Sequence, residues 1–235
     1  MSVSASELIH SIIEKKSARI KLLGDSITHG VGGTGFGQTG EPIVDRFKRS
    51  PNGFCWAKLF AEHMSEKYGA EVINNGCTGT TIQYTNNFFD GLVDDEDELI
   101  ICTIGTNNRH QYFKDAPKRT EEEMKEIFRE NVRILVSKLR ARGIPFIFMA
   151  NIPASDANEQ DGVDSWRIIH MSDINDLYKE MSVELDFPLV SIYDAFTTYI
   201  KENDITLDSL LADGLHPNDE GYRVMFNIIT EALGV

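Results

Sequence analysis

Near the carboxyl end of the chain stands Asp213-Gly214-Leu215-His216-Pro217, a carboxylate three residues before an imidazole. A tight turn over that spacing brings the carboxylate to the ring Nδ1–H, which orients the ring and leaves Nε2 to take a proton: a general-base pair. Taken alone, the same residues also suit an acidic segment before a closing helix, with Pro217 near its start. Far upstream, Gly24-Asp25-Ser26-Ile27-Thr28-His29-Gly30 sets a serine among small and polar residues, a place for an exposed nucleophile or for a helix cap. Asn74-Asn75-Gly76-Cys77-Thr78-Gly79-Thr80-Thr81 is a glycine-rich turn in which Gly79, lacking a Cβ, lets a backbone N–H approach a ligand closely. Gly105-Thr106-Asn107-Asn108 offers a side-chain amide, or an ordinary Asx turn.

These residue types complement one another. A serine hydroxyl attacks an ester carbonyl only when a base takes its proton, and a free imidazole, titrating near about 6.5, does so around neutrality. The tetrahedral oxyanion then needs donors aimed at it, which the N–H groups of Ser26 and Gly79 and the amide of Asn107 can supply. Asp25, His29, Asn108 and His110 flank the Ser26 and Asn107 turns and are the candidates for contacting a substrate.

The elements that must position these groups alternate along the chain. Short β-rich runs occur at 19–24, 70–75, 98–104, 145–152 and 187–193, and helical spacing appears at 54–68, 120–142, 166–185 and 218–233. Thr120 with Glu123 reads as a capping box and Gly143 as a helix stop. Continuously apolar strands alternating with helices imply a parallel sheet covered on both faces, with functional groups in the loops beyond the strands' carboxyl ends. The Ser26, Gly79 and Asn107 turns each follow such a strand, and the Asp213 and His216 turn precedes the closing helix. Leu8, Ile9, Ile12 and Ile13 suggest a short packing helix in an N-terminal extension, residues 1–17, and at 235 residues one domain is expected.

In order and at the expected sheet edge, GDSI, a small-residue turn ending in glycine, GTN and DxxH resemble the pattern of the SGNH hydrolases, the GDSL esterase/lipase family. The resemblance runs along most of the chain. It implies an α/β fold, a three-layer α/β/α sandwich, flavodoxin-like, on a five-stranded parallel sheet. It also implies an acyl-ester reaction through a covalent serine intermediate with no metal or organic cofactor. On this match Ser26 is similar to the family's nucleophile, His216 and Asp213 to its base and orienter, and Gly79 and Asn107 to its oxyanion-hole residues. Two departures stand out: Asn108 where the family often has aspartate, and a long glycine-rich loop over residues 30–53.

Subtracting 37 acidic from 23 basic residues leaves a net charge of −14, which disfavours nucleic acid and anionic membranes as partners. No apolar run approaches the roughly 18 residues of a membrane span, and the start lacks a signal peptide's apolar centre, so a cytoplasmic chain is expected. Cys55, Cys77 and Cys102 are widely spaced and read as buried free thiols. The acidic run from Asp94 to Glu98 reads as a solvated turn.

Gly30-Val31-Gly32-Gly33-Thr34-Gly35 satisfies a dinucleotide-binding pattern, but further breakers follow where that motif needs a helix. No histidine pair has metal-protease spacing. The expected reaction is hydrolysis of a short acyl group, such as acetate, from a small alcohol or an acylated sugar, since no apolar lid is evident. Acyl transfer to an alcohol, lipase-type acyl hydrolysis and a non-catalytic binding module on the same fold are the alternatives. Phe54 and Trp56 read as core, while Tyr112 and Phe113 suit either a sugar-stacking wall or a core edge. The 30–53 loop is expected to close over bound ligand or to pack against a second copy of the chain, making a homo-oligomer.

Overall fold

The computed structural model describes residues 3–15, 17–36, 53–111, 117–160 and 166–235. Strands β1 (Arg19–Gly24), β2 (Glu71–Gly76), β3 (Leu99–Thr103), β4 (Phe146–Ala150) and β5 (Leu189–Ser191) form one sheet in the order β2-β1-β3-β4-β5, with every pairing parallel. Gly24 lies opposite both Gly76 and Thr103, so β1 and its two neighbours end at one level. The turns that follow them therefore share one edge.

Around the sheet run α1 (Ala5–Ile13), α2 (Ser26–His29), α3 (Trp56–Tyr68), α4 (Ile82–Asn87), α5 (Phe89–Leu92) and α6 (Glu121–Arg142). They are followed by α7 (Asp156–Glu159), α8 (Met171–Leu185), α9 (Ile192–Glu202) and α10 (Asp219–Leu233). Successive side chains of a strand point to opposite faces, and β3 shows the consequence. Leu99 and Ile101 join a core with Ile9, Trp56, Phe60, Phe196 and Ile229, from α1, α3, α9 and α10. Ile100 and Cys102 join a second core with Ile82, Phe89, Phe128, Leu135 and Ile174, from α4, α5, α6 and α8. The result is the three-layer α/β/α, flavodoxin-like sandwich that the family resemblance implies, with the parallel, doubly covered sheet that the strand and helix alternation implies. Burying each such aliphatic or aromatic side chain contributes about 1.5–3 kcal/mol relative to leaving it in water.

The capping box of Thr120 and Glu123 opens α6, and Gly143, at φ 68°, closes it. Other elements differ from the expectation. Helix α8 starts at Met171 rather than 166, because the Asp173 carboxylate takes the His170 N–H at 2.8 Å and fixes the first turn there. The strand expected over 187–193 has three residues and runs straight into α9, where Ser191 Oγ accepts the Asp194 N–H at 3.1 Å and Ile192 and Phe196 are buried. Short helices α4 and α5 occupy the segment after the second turn.

The acidic run is not simply a solvated turn. Lys21, inward on β1, is buried, and its Nζ lies 3.1 Å from Asp97 Oδ2 and 2.5 Å from Asp94 Oδ2; the Asp97 side chain is fully buried. An ammonium inside a sheet needs an opposing charge beside it, and the run supplies that charge. All three cysteines are buried, and none is in a disulfide. Trp56 is core and Phe54 packs at its margin. Residues 37–52 of the long loop, and Tyr112 and Phe113, lie outside the described residues. Among the described residues, no helix is long and apolar enough to cross a membrane.

Candidate active site

Strand β1 delivers the chain into α2 through Gly24, where an added Cβ would sit 2.1 Å from Thr28 Oγ1. Only glycine lets the one-turn helix fold back so tightly on its strand. Asp25 caps that helix, its Oδ1 accepting the Ile27 N–H at 3.0 Å. Ser26 is the first helical residue, so its own N–H has no acceptor within the helix.

The other half of the site is the turn before α10. Asp213 Oδ1 accepts the backbone N–H groups of Leu215 and His216 at 3.1 and 2.8 Å, which curls the turn around the carboxylate. Asp213 Oδ2 is then 2.7 Å from His216 Nδ1, and His216 Nε2 is 2.8 Å from Ser26 Oγ. Burial of the Asp213 carboxyl opposes ionisation. The hydrogen bonds from the His216 N–H and ring outweigh it and hold the carboxyl below the usual aspartate range. An ionised carboxylate, an imidazole and a hydroxyl in this line can carry the hydroxyl proton to the ring as the oxygen attacks.

Opposite lie two more turns. The Thr80 N–H reaches the Cys77 carbonyl at 3.2 Å, with Gly79 at φ 76° in the third position, the left-handed conformation that a type II turn requires there. Asn107 sits on a single 3₁₀ turn after β3, and its Nδ2 donates to the Thr80 carbonyl at 2.9 Å. An amide NH₂ carries two hydrogens, so this bond fixes the side chain and leaves a second donor. In the strand order observed here, the connections leaving β1 and β3 part to opposite faces, and the crevice between them is where such sheets take ligands.

Three of the expected substrate contacts are turned inward. Asp25 is fully buried, with Asn151 Nδ2 donating to its Oδ2 at 3.0 Å and to Thr106 Oγ1 at 2.8 Å. Asn108, 8% exposed, accepts the Ile82 N–H at 3.1 Å and starts α4. His29 is 4% exposed and meets the Phe36 ring edge-to-face at 5.2 Å. Neighbours of a site residue on a helical turn point in other directions, which sequence adjacency does not reveal. His110 is half-buried and lines a cavity of about 80 Å³ with Thr81, Gln83, Asn108 and Arg119. Asn151, unexpected from the sequence, follows β4 at the same sheet edge, and that placement was the available signal. Among the described residues, no three His, Cys, Asp or Glu side chains group to hold a metal ion.

A model of the GDSL-like lipase/acylhydrolase family matches residues 22–224, a span that contains every one of these turns. The chain belongs to that family. Membership makes it a carboxylic ester hydrolase. Solved structures share its fold. A protein described as a GDSL-like lipase from Parabacteroides merdae is 18% identical, with 94% of this chain and 97% of that one covered at a TM-score of 0.71. An acetylxylan esterase from Geobacillus stearothermophilus is 17% identical, with 94% and 95% covered at a TM-score of 0.69. An α/β hydrolase from the metagenome of Lake Arreo, Spain, is 20% identical, with 95% and 98% covered at 0.70. Catalytic mutants of the Geobacillus esterase replace a serine, an aspartate and a histidine, the last two three positions apart. No curated protein matches the chain.

Proposed function

We propose that this family member is a serine esterase that removes a short acyl group, such as O-acetyl, from a carbohydrate or small alcohol. Ser26 Oγ attacks the ester carbonyl as His216 Nε2 takes its proton, and Asp213 holds the ring in the tautomer that leaves Nε2 bare. The N–H groups of Ser26 and Gly79 and the free Nδ2 hydrogen of Asn107 receive the oxyanion. His216 then returns the proton to the departing alcohol, which leaves an acyl-Ser26 ester. Water activated by the same imidazole attacks that ester and releases the acid.

The observation that carries this reading is the unbroken line from Ser26 Oγ to His216 Nε2 at 2.8 Å and from His216 Nδ1 to Asp213 Oδ2 at 2.7 Å. The Geobacillus enzyme, with its catalytic serine, aspartate and histidine and its acetylated-sugar substrate, supports both the residue roles and the acyl group. The net charge of −14 favours uncharged esters over polyanionic ones.

The test pairs a substrate series with active-site labelling. Acetyl, butyryl and longer-chain esters and acetylated xylo-oligosaccharides are turned over, and an organophosphonate is applied to the parent and to Ser26→Ala. The expected result is fastest turnover of acetyl esters, a phosphonate adduct on Ser26, and a folded but inactive Ser26→Ala. Full turnover by that variant would overturn the assignment of Ser26, and a preference for long chains would overturn the substrate.

A further inference from the structure

The proposed chemistry joins two groups 190 residues apart in the chain, at 2.8 Å. What keeps them there is found behind the site. Tyr222, fully buried near the start of α10, aims its hydroxyl at two backbone carbonyls of the Ser26 turn, Val31 O at 2.7 Å and Ile27 O at 3.1 Å. The N–H groups of both Gly30 and Val31 turn to the Ser26 carbonyl, so Ile27 O gets no N–H from the residue four positions on. A buried carbonyl without a donor is costly, and the one hydroxyl hydrogen of the tyrosine, shared between Val31 O and Ile27 O, serves this turn from a different element.

The same end of α10 is locked to the His216 turn. Asn218 caps the helix by accepting the Gly221 N–H at 3.0 Å, and its own N–H reaches the Leu210 carbonyl at 3.0 Å. A Cβ on Gly221 would fall 2.1 Å from that carbonyl, so the helix start lies directly against the segment leading into Asp213. The Ala212 N–H reaches the His216 carbonyl at 2.8 Å and closes the turn. Asp219, in the first turn of α10, adds a second tie to the Ser26 side: its Oδ1 accepts the Thr34 N–H at 2.7 Å.

We propose that the start of α10, through the Tyr222 hydroxyl and secondarily the Asp219 carboxylate, is the device that holds Ser26 within hydrogen-bond reach of His216. Tyr222 is thus a positioning residue for catalysis. This rests on the catalytic reading of Ser26 and His216. Burial pushes the Tyr222 phenol well above its usual range, so its hydrogen stays in place as a donor across the working pH range. Removing the hydroxyl leaves the ring to fill the core but frees the Ser26 turn to drift from the imidazole, and misplacement of reacting groups by about 1 Å can cost on the order of a hundredfold in rate.

The experiment compares the parent with Tyr222→Phe and Asp219→Ala by three readouts: the rate constant for organophosphonate labelling of Ser26, kcat and KM on a short acetyl ester, and the melting temperature. In Tyr222→Phe, labelling and kcat should fall together by about tenfold or more, with KM unchanged. Asp219→Ala, at a partly exposed residue, should show the same split with a loss of about threefold. Labelling and kcat at the parent's level in a folded Tyr222→Phe would overturn the proposal, whatever its melting temperature, because a purely structural role lowers stability and spares the rate. If Tyr222→Phe yields no folded protein, Asp219→Ala decides: an unchanged labelling rate overturns the proposal and a slowed one supports it. A parent that is not labelled on Ser26 would instead refute the catalytic reading on which the proposal rests.

Discussion

Asn107 gives one of its two amide hydrogens to the carbonyl of Thr80, 2.9 Å away, and so ties the turn after β3 to the turn after β2. The bond fixes the orientation of the remaining hydrogen and braces the Gly79 turn at once. Asn107→Ala should therefore lower kcat by about a hundred- to a thousandfold, roughly 3–4 kcal/mol of transition-state stabilisation, with little change in KM. Steady-state kinetics on a short acetyl ester check this. A kcat equal to the parent's would remove Asn107 from the oxyanion site.

Gly32 stands at φ 94°, and a Cβ there would lie 2.4 Å from the Pro217 carbonyl and 3.1 Å from His216 Cβ. The Ser26 and His216 turns thus meet at a point where only hydrogen fits. Gly32→Ala combines backbone strain with a push on the imidazole, and activity should fall by at least about tenfold while the protein stays folded. The check is kcat alongside circular dichroism, and unaltered kcat would show that the His216 turn yields without consequence.

Asp25 is the buried carboxyl beneath Ser26. Burial raises it above the usual aspartate range, against the lowering effect of its bonds to Thr106 and Ile27 and of the His216 charge. A carboxyl that binds its proton more tightly folded than unfolded adds stability below the unfolded value of about 3.9 and loses it as pH rises toward the folded value. Asp25→Asn abolishes that titration. The difference in melting temperature between parent and variant should move in the variant's favour as pH rises from about 4. A difference independent of pH would contradict the raised value.

Asp97 and Lys21 form an ion pair at 3.1 Å with both side chains out of solvent. Asp97→Ala strands the ammonium with Asp94 as its remaining partner. The expected cost is about 3 kcal/mol, at the lower end for a broken buried pair because that partner persists. Urea unfolding measures it, and a loss below about 1 kcal/mol would show that water reaches Lys21.

Much of this protein could be read without coordinates. Short, continuously apolar runs mark the five strands and period-3.6 spacing marks the long helices, because a strand buried on both faces and a helix buried on one each leave a local pattern in the chain. The Thr120 and Glu123 box and the Gly143 stop are local for the same reason. The apolar run over 187–193 covers both β5 and the start of α9, because apolar continuity does not distinguish a short buried strand from the helix that follows it, and Ser191 ends one and caps the other.

The site divides along the same line. That Asp213 and His216 can pair follows from a three-residue spacing, and that the Ser26, Gly79 and Asn107 turns share a sheet edge follows from the βα alternation. Which neighbours face the crevice does not follow. Asp25, Asn108 and His29 sit beside site residues in sequence, yet they turn inward to Asn151, to the Ile82 N–H and to Phe36. The sequence alone determined the types of chemical group and the edge they occupy, because both depend on residue identity and short-range periodicity. Only the tertiary structure decided which groups touch and what holds them: Ser26 to His216, Tyr222 to the Ser26 turn, Lys21 to Asp97. Each of those contacts joins residues from 76 to 195 positions apart, and the distance between such partners is set by the packing of helices on the sheet rather than by any pattern within one segment.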